Sequence, residues 1–437
     1  MSRRTLNGRH LIGMRTVAVC LSGLLLAQTR KHQNAVEELA KLQGDAYAQR
    51  VAGDKQGRLR TVLEVAKLLN NAPSAVETLA RAYADAGDNE HALAKLQQLA
   101  DLGQDGESLL HDDAKQFAAI AAKPQYQAVL KQFAKNKAPI SRAEPVLQLA
   151  DAGLLAEDID YDRQSRSFLI TSVLEKKIVR VAADGHLSDF ALSPSHWPML
   201  AIKVDAERKL VWATEVAMDG FIAAPKSDWG RSGVLCFDLR TGALHYRVEG
   251  RAHSALGDLT LTREGTPIVS DGNGGGVYRL SEKRMQRIDD GAFISPQTST
   301  KHPDGRHVFV PDYVRGIGIL DAATGEVEWL NQGQHAVSGI DGLYYDREYL
   351  IATQNGTSPE RVIRFRLDST LTRIVSEDII ERSTATLGDP THGVVIGDFF
   401  YYIANSGWSE VDDHGNLKPG AKLTPARIMR TRISGGS

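Results

Sequence analysis

Three carboxylates, Glu157, Asp258 and Asp341, each stand at the start of a short run rich in β-branched and aromatic residues. Runs of that composition, bounded by Asp, Gly and Asn turns, read as strands. If the starts of such strands converge on one face, the three acids face one another across a common space. Oxygen ligands grouped in that way suit hard cations such as Ca²⁺ or Mg²⁺. Histidines gather at the same places. His253 precedes Asp258, His335 precedes Asp341, His196 precedes a further run and His392 opens the last one. An imidazole there serves as a general base near neutral pH, or as a ligand that brings Zn²⁺ into play. The simpler reading of each is an exposed loop histidine with ordinary hydrogen bonds. A second set of polar residues, Ser172, Glu215, Asp271, Asp312, Asn355 and Asn405, closes the strands that return to the same face. They read as a ring of substrate contacts or, equally, as strand ends entering turns.

The elements that must position these residues repeat. Strands at 157–161, 167–172 and 177–181 form a first unit, and similar triplets follow five more times. Taking Glu157, Met199, Asp258, Gln297, Asp341 and Thr391 as equivalent, the steps are 42, 59, 39, 44 and 50 residues. The long step holds an insertion near 217–232. Six near-equal units of about four short strands predict a six-bladed β-propeller over 145–433, in which each blade buries the face of the next. Asp271-Gly272-Asn273-Gly274-Gly275-Gly276 looks like a phosphate loop, but no helix follows it, so it reads as a blade turn. Trp229 and Trp408 fall in loops, placed either to stack on a ligand or to pack between blades. There is no Gly-x-Ser-x-Gly elbow and no paired-cysteine zinc pattern.

These repeats resemble the regucalcin/gluconolactonase group of six-bladed propellers. The resemblance runs over roughly 145–433 as a blade pattern. Its local carriers are the phrase from Leu261 to Asp271 (LTREGTPIVSD) and Ile340-Asp341-Gly342-Leu343, which is similar to the group's Pro-Asp-Gly motif. It implies a divalent cation at the channel mouth, held by one Glu, one Asp and Asn side chains, and in several members the hydrolysis of lactones. Carried over residue by residue, the Glu is Glu157, and the Asp, a ligand and candidate base, is Asp341. Gln297 stands where the fourth blade has Asn, and Gly257, beside Asp258, where the third has Asn. The resemblance therefore implies metal ligation by Glu157, Gln297 and Asp341, with Asp341 moving the proton; His335, by its placement and not by the resemblance, is the other candidate for that proton. Asp258, His253, Asp271, Asp312, Asn355, His392 and Asn405 remain as substrate contacts.

Ahead of the strands, residues 33–136 are rich in Ala, Leu, Lys, Glu and Gln, with apolar residues at helical spacing. Residues 76–104 resemble one tetratricopeptide repeat through Ala80, Tyr83, Ala92 and Leu96, with Gly87-Asp88 as the turn. Small Ala80 and Ala92 let two helices approach, and such a segment offers a surface for a protein partner. A linker is expected at 135–143. Residues 1–28 read as a signal peptide, from Met1 or Met14, because Arg3, Arg4, Arg9 and Arg15 precede an apolar run at 17–27. That predicts a periplasmic or secreted chain with no mature transmembrane segment. A net charge of -2 in 437 residues gives no pull toward nucleic acid.

The sequence thus predicts a mainly β protein, a six-bladed propeller behind a small all-α segment. The expected function is binding of a divalent cation and a small molecule in the funnel, extending to hydrolysis of a lactone or ester. A non-catalytic scaffold, binding through the propeller face and the helices, is the alternative.

Overall fold

The computed structural model describes residues 34–112 and 114–433. The signal-peptide segment and Cys20 lie outside the described residues. Six sheets radiate from a common axis, each antiparallel; four are meanders in sequence order, and the fifth and sixth each gain an outer strand from residues 140–148. The blades begin at the strands Ala156–Asp162, Met199–Asp205, Leu256–Leu261, Thr300–Lys301, Ile340–Asp346 and Gly393–Ile396. This is the six-bladed propeller that the spacing predicts. The insertion in the second blade falls between Leu210–Ala217 and Arg231–Asp238, as read.

The closure of the ring was not expected. The sixth blade's outermost strand is Glu144–Gln148, which pairs antiparallel with Arg427–Arg432 from the other end of the domain. The segment read as a linker also carries a strand, Ile140–Ser141, which adds a fifth member to the outer edge of the fifth blade. A propeller has two bare edges until its ends meet, and strand pairing satisfies the backbone groups there.

Apolar clusters hold the blades together, one at each of the six interfaces. Leu169 and Ile178 of the first blade pack with Met199, Ile202 and Val211 of the second. At the ring closure, Ile159, Phe168 and Val179 pack with Ile403 and Ile428. Each such side chain contributes about 1.5–3 kcal/mol by leaving water. Hydroxyls add directional ties. Thr171, Ser270 and Thr353, one residue before the end of their strands, and Thr214, three before, donate to the carbonyls of Leu200, Gln297, Thr391 and Gly257 on the next blade.

Among the described residues, six α-helices precede the propeller: α1 Ala35–Ala52, α2 Lys55–Leu68, α3 Pro73–Asp85, α4 Asn89–Asp101, α5 Glu107–Asp112 and α6 Pro124–Asn136. Their ends follow capping chemistry. Asn34 accepts from the Val36 amide at 3.1 Å, Pro73 and Pro124 open α3 and α6, and Gly53 closes α1 in the left-handed region. Helices α3 and α4 turn at Gly87-Asp88 with Ala80, Ala92 and Leu96 fully buried between them, the geometry that the repeat resemblance implies. No helix among the described residues is long and apolar enough to cross a membrane.

The helices sit on the propeller. Ile294 is buried in the cluster formed by α1, α2 and α3, with Val314 against it. Hydrogen bonds join Ala35 to Gly291, Asn70 to Arg315 and Gln332, and Asp105 to Ser358. All the propeller partners lie in loops of blades three to five on one face.

Candidate functional site

That face is the mouth. The pairings Ala156 with Ser172, Met199 with Glu215, Leu256 with Asp271 and Ile340 with Gln354 show that inner strands start where second strands end. Immediately after each of those pairs the register slips, at Glu157-Asp158, Leu200-Ala201, Gly257 and Asp341. A bulge of this kind leaves a residue unpaired and re-aims its side chain. The recurring bulge therefore puts Glu157 and Asp341 at equivalent points of the rim, with Thr391 their counterpart in the sixth blade.

Three of the expected residues meet there. One ligand atom each from Glu157, Asp341 and His392 lies within 4.8 Å of the others, and all three side chains are buried. Asp258 adjoins them: its Oδ1 accepts from Thr298 Oγ1 at 2.6 Å and lies 3.0 Å from His392 Nε2. His392 Nδ1 faces the Glu157 carbonyl at 3.0 Å, so a doubly protonated ring satisfies both partners. Asn355 donates from Nδ2 to Asp341 Oδ2 at 2.8 Å and accepts from the Tyr313 hydroxyl at 3.0 Å. It positions Asp341.

Electrostatics in this cluster are strained. Burial, then the Asp341 charge, pushes the Glu157 carboxyl up to about 8, against the pull of His392 and the Trp408 indole. Burial pulls His392 down, but the Asp158, Asp341 and Asp258 charges outweigh it and hold the ring well above its usual range. Asp158, which the sequence reading passed over, is fully buried and takes the Lys203 ammonium at 2.6 Å.

The other expected residues serve the frame. Asp271 accepts from the amides of Ala255, Asn273 and Gly274, and Asp312 from those of Ile294, Ser295, Val314 and Arg315. Asn405 ties Arg427, Thr424 and Pro425. Gln354, not Asn355, occupies the corresponding place in the fifth blade and bonds Ala336 and Ser338. Ser172 donates to Leu154, and Glu215 binds Ser193, Ser195 and Arg247. These side chains are engaged in turn and frame hydrogen bonds, while Asn355 bonds Asp341. Gln297 turns its amide nitrogen to Ser295. His335 lies 2.9 Å from Glu377 on the fourth strand of its blade, away from the funnel, and His253 and His196 are exposed with left-handed backbones. Cys236 is buried in the second blade, where burial pushes its thiol up to about 11.

A roof closes the cluster. Loops 218–230 and 404–426 meet over the first blade, where Ile222 donates to His414 at 2.8 Å and Phe221 packs on Trp408 at 5.8 Å. The Trp408 indole N–H donates to Glu157 Oε2 at 2.5 Å. Leu155, Val173, Leu200 and Val411 line the underside. The helices cover the opposite side.

The donor set fits a divalent cation: two carboxylates and one imidazole, with carboxylate charge in excess around them. The hydroxyl of Thr391, the residue before His392, is buried without a hydrogen bond. An imidazole in the set moves the preference from Ca²⁺ and Mg²⁺ toward Zn²⁺ and its neighbours.

No known family profile matches the sequence, and no curated protein does. Solved structures do. A putative glucose dehydrogenase from Thermus thermophilus is 16% identical over 66% of this chain and 99% of its own, with a TM-score of 0.46. A gluconolactonase from Xanthomonas campestris is 14% identical over 68% and 100%, at 0.44. Virginiamycin B lyase from Staphylococcus aureus is 12% identical over 66% and 98%, at 0.43. These are likenesses of architecture to gluconolactonase-like and lyase propellers, and the six-bladed fold itself rests on the strand pairing described above.

Proposed function

We propose that the propeller binds a divalent cation at Glu157, Asp341 and His392 and acts on a small ester or lactone admitted when the roof opens. The observation that carries this reading is the approach of three ligating atoms from three blades within 4.8 Å. Bound there, a cation supplies Lewis acidity toward a carbonyl. The chain supplies the rest. Glu157 and Asp341 hold the charge, Asn355 fixes the plane of the Asp341 carboxylate, and Thr298 fixes Asp258. Asp341 is the proton acceptor at the rim. The His392 proton and a cation compete for one acidic cluster, so binding displaces that proton. The apolar underside of the roof favours a substrate with a hydrophobic part.

The burial of the cluster beneath Trp408 favours a second reading, a binding scaffold without turnover. Metal content and melting of the purified chain, with and without chelator, test both. One equivalent of metal that raises Tm and is lost in Glu157→Gln and Asp341→Asn supports the site. Hydrolysis of a lactone or ester panel by the loaded protein then supports the enzyme, and its absence supports the scaffold. A wild-type chain that takes up no metal and melts unchanged overturns the reading.

A further inference from the structure

On the opposite face of the fourth blade, the turn joining Thr300–Lys301 to His307–Asp312 reads His302-Pro303-Asp304-Gly305-Arg306-His307. Both imidazoles aim Nδ1 at one carboxylate. His302 Nδ1 lies 3.0 Å from Asp304 Oδ1 and His307 Nδ1 lies 2.6 Å from Oδ2. All three ligand atoms fall within 4.8 Å of one another.

The turn is built to keep them there. Asp304 Oδ1 accepts from the amides of Arg306 and His307, both at 2.9 Å, which orients the carboxylate. His302 and His307 also exchange a backbone hydrogen bond across the turn, and Gly305 takes the left-handed conformation it needs. The His302 ring packs on Phe309 at 4.9 Å, so its direction is fixed by the blade's core. The nearest guanidinium, Arg306, binds Asp321 and leaves the carboxylate to the imidazoles. With side chains 12%, 38% and 30% exposed for His302, Asp304 and His307, the group opens to water on one side.

We propose that His302, Asp304 and His307 form a second metal site, distinct from the funnel, for a borderline divalent cation such as Zn²⁺, Co²⁺, Ni²⁺ or Cu²⁺. Two nitrogens and one carboxylate oxygen are the donor set those ions take, and water completes the shell on the exposed side. Ca²⁺ and Mg²⁺, which need oxygen ligands, are poor occupants. The ion clips the first hairpin of the fourth blade across its turn.

The test is Zn²⁺ uptake by metal-free protein carrying no histidine tag, read against a chromophoric chelator, with Co²⁺ absorbance as a second readout. The wild type is expected to bind one equivalent more than His302→Gln/His307→Gln. The Glu157→Gln/Asp341→Asn variant is expected to keep that equivalent, which separates this site from the funnel. Asp304→Asn weakens Zn²⁺ at least tenfold, and it decides the matter if the double variant does not fold. Equal uptake and affinity in the wild type and the turn variants overturns the proposal, as does equal competition by Ca²⁺.

Discussion

Glu157 holds a proton that a surface glutamate would have lost. Its folded pKa, about 8, lies above its ordinary 4.5. Stability from the neutral carboxyl is therefore complete below about pH 4.5 and is lost as pH rises through 8. His392, raised above 6.5 by its three acidic neighbours, works in the same direction. The metal-free protein is expected to melt at lower temperature at pH 9 than at pH 6. In Glu157→Gln that slope flattens, and the variant is more stable at pH 9 by a few kcal/mol. Calorimetry across pH on chelator-treated protein checks this; a slope unchanged by the substitution contradicts it. On the proposed reading the same variant is expected to lose the funnel cation, so what stabilises the empty fold would disable the site. Glu157 and Asp341 could be picked out as candidates because they fall at the same point of a repeat, and His392 because it follows the equivalent Thr391. Trp408 reads from sequence as stacking on a ligand or packing between blades; its bond to Glu157 was not legible, because it spans 251 positions in the chain. His335 precedes Asp341 closely, yet its ring turns to Glu377 on the fourth strand of its blade. Sequence proximity fixes where a backbone goes and leaves the side chain's direction open.

Among the elements, the recurring bulge does the positioning, and the loop before Asp341 is its tightest part. Gly339 has φ of +67°, and a Cβ there would meet the Gly356 backbone at 2.6 Å. Its amide donates to Tyr313 and its carbonyl accepts from Gly356. Neither backbone can yield without moving Asn355 and Asp341. Gly339→Ala is expected to cost about 2–4 kcal/mol, combining left-handed strain with a backbone clash, and to weaken metal binding in the fraction that folds. Denaturant unfolding with metal titration checks both, and a loss under about 0.5 kcal/mol contradicts the account. Strands were read well from composition because most of the second and inner strands are buried on both faces. Glu144–Gln148 was missed for the opposite reason. It is mostly exposed, carries Pro145 and shows no clear alternation, as an edge strand is free to do.

On the scale of the whole molecule, helices and propeller form one body. Excising residues 34–136 strips the cover from Ile294 and Val314 and removes the partners of Ser358 and Gln332. The remaining chain is expected to bind a hydrophobic dye and to melt several degrees lower, while strand content is unchanged. Identical melting of the two forms contradicts the packing described. The helical segment was legible as helix, but its seat was not, because the face that receives it is assembled from loops of three successive blades.

The strand pair that shuts the ring sets the order of events at birth. Glu144 and Arg430 meet across it, 286 positions apart. At about 5–20 residues per second, roughly 15–60 s separate the making of the two halves of that clasp. Throughout that interval the nascent chain carries assembled blades with an unpaired edge, open to proteases and to neighbours. A message cut short before Arg427 leaves the clasp permanently undone, so the fold inspects its own completeness with its final strand.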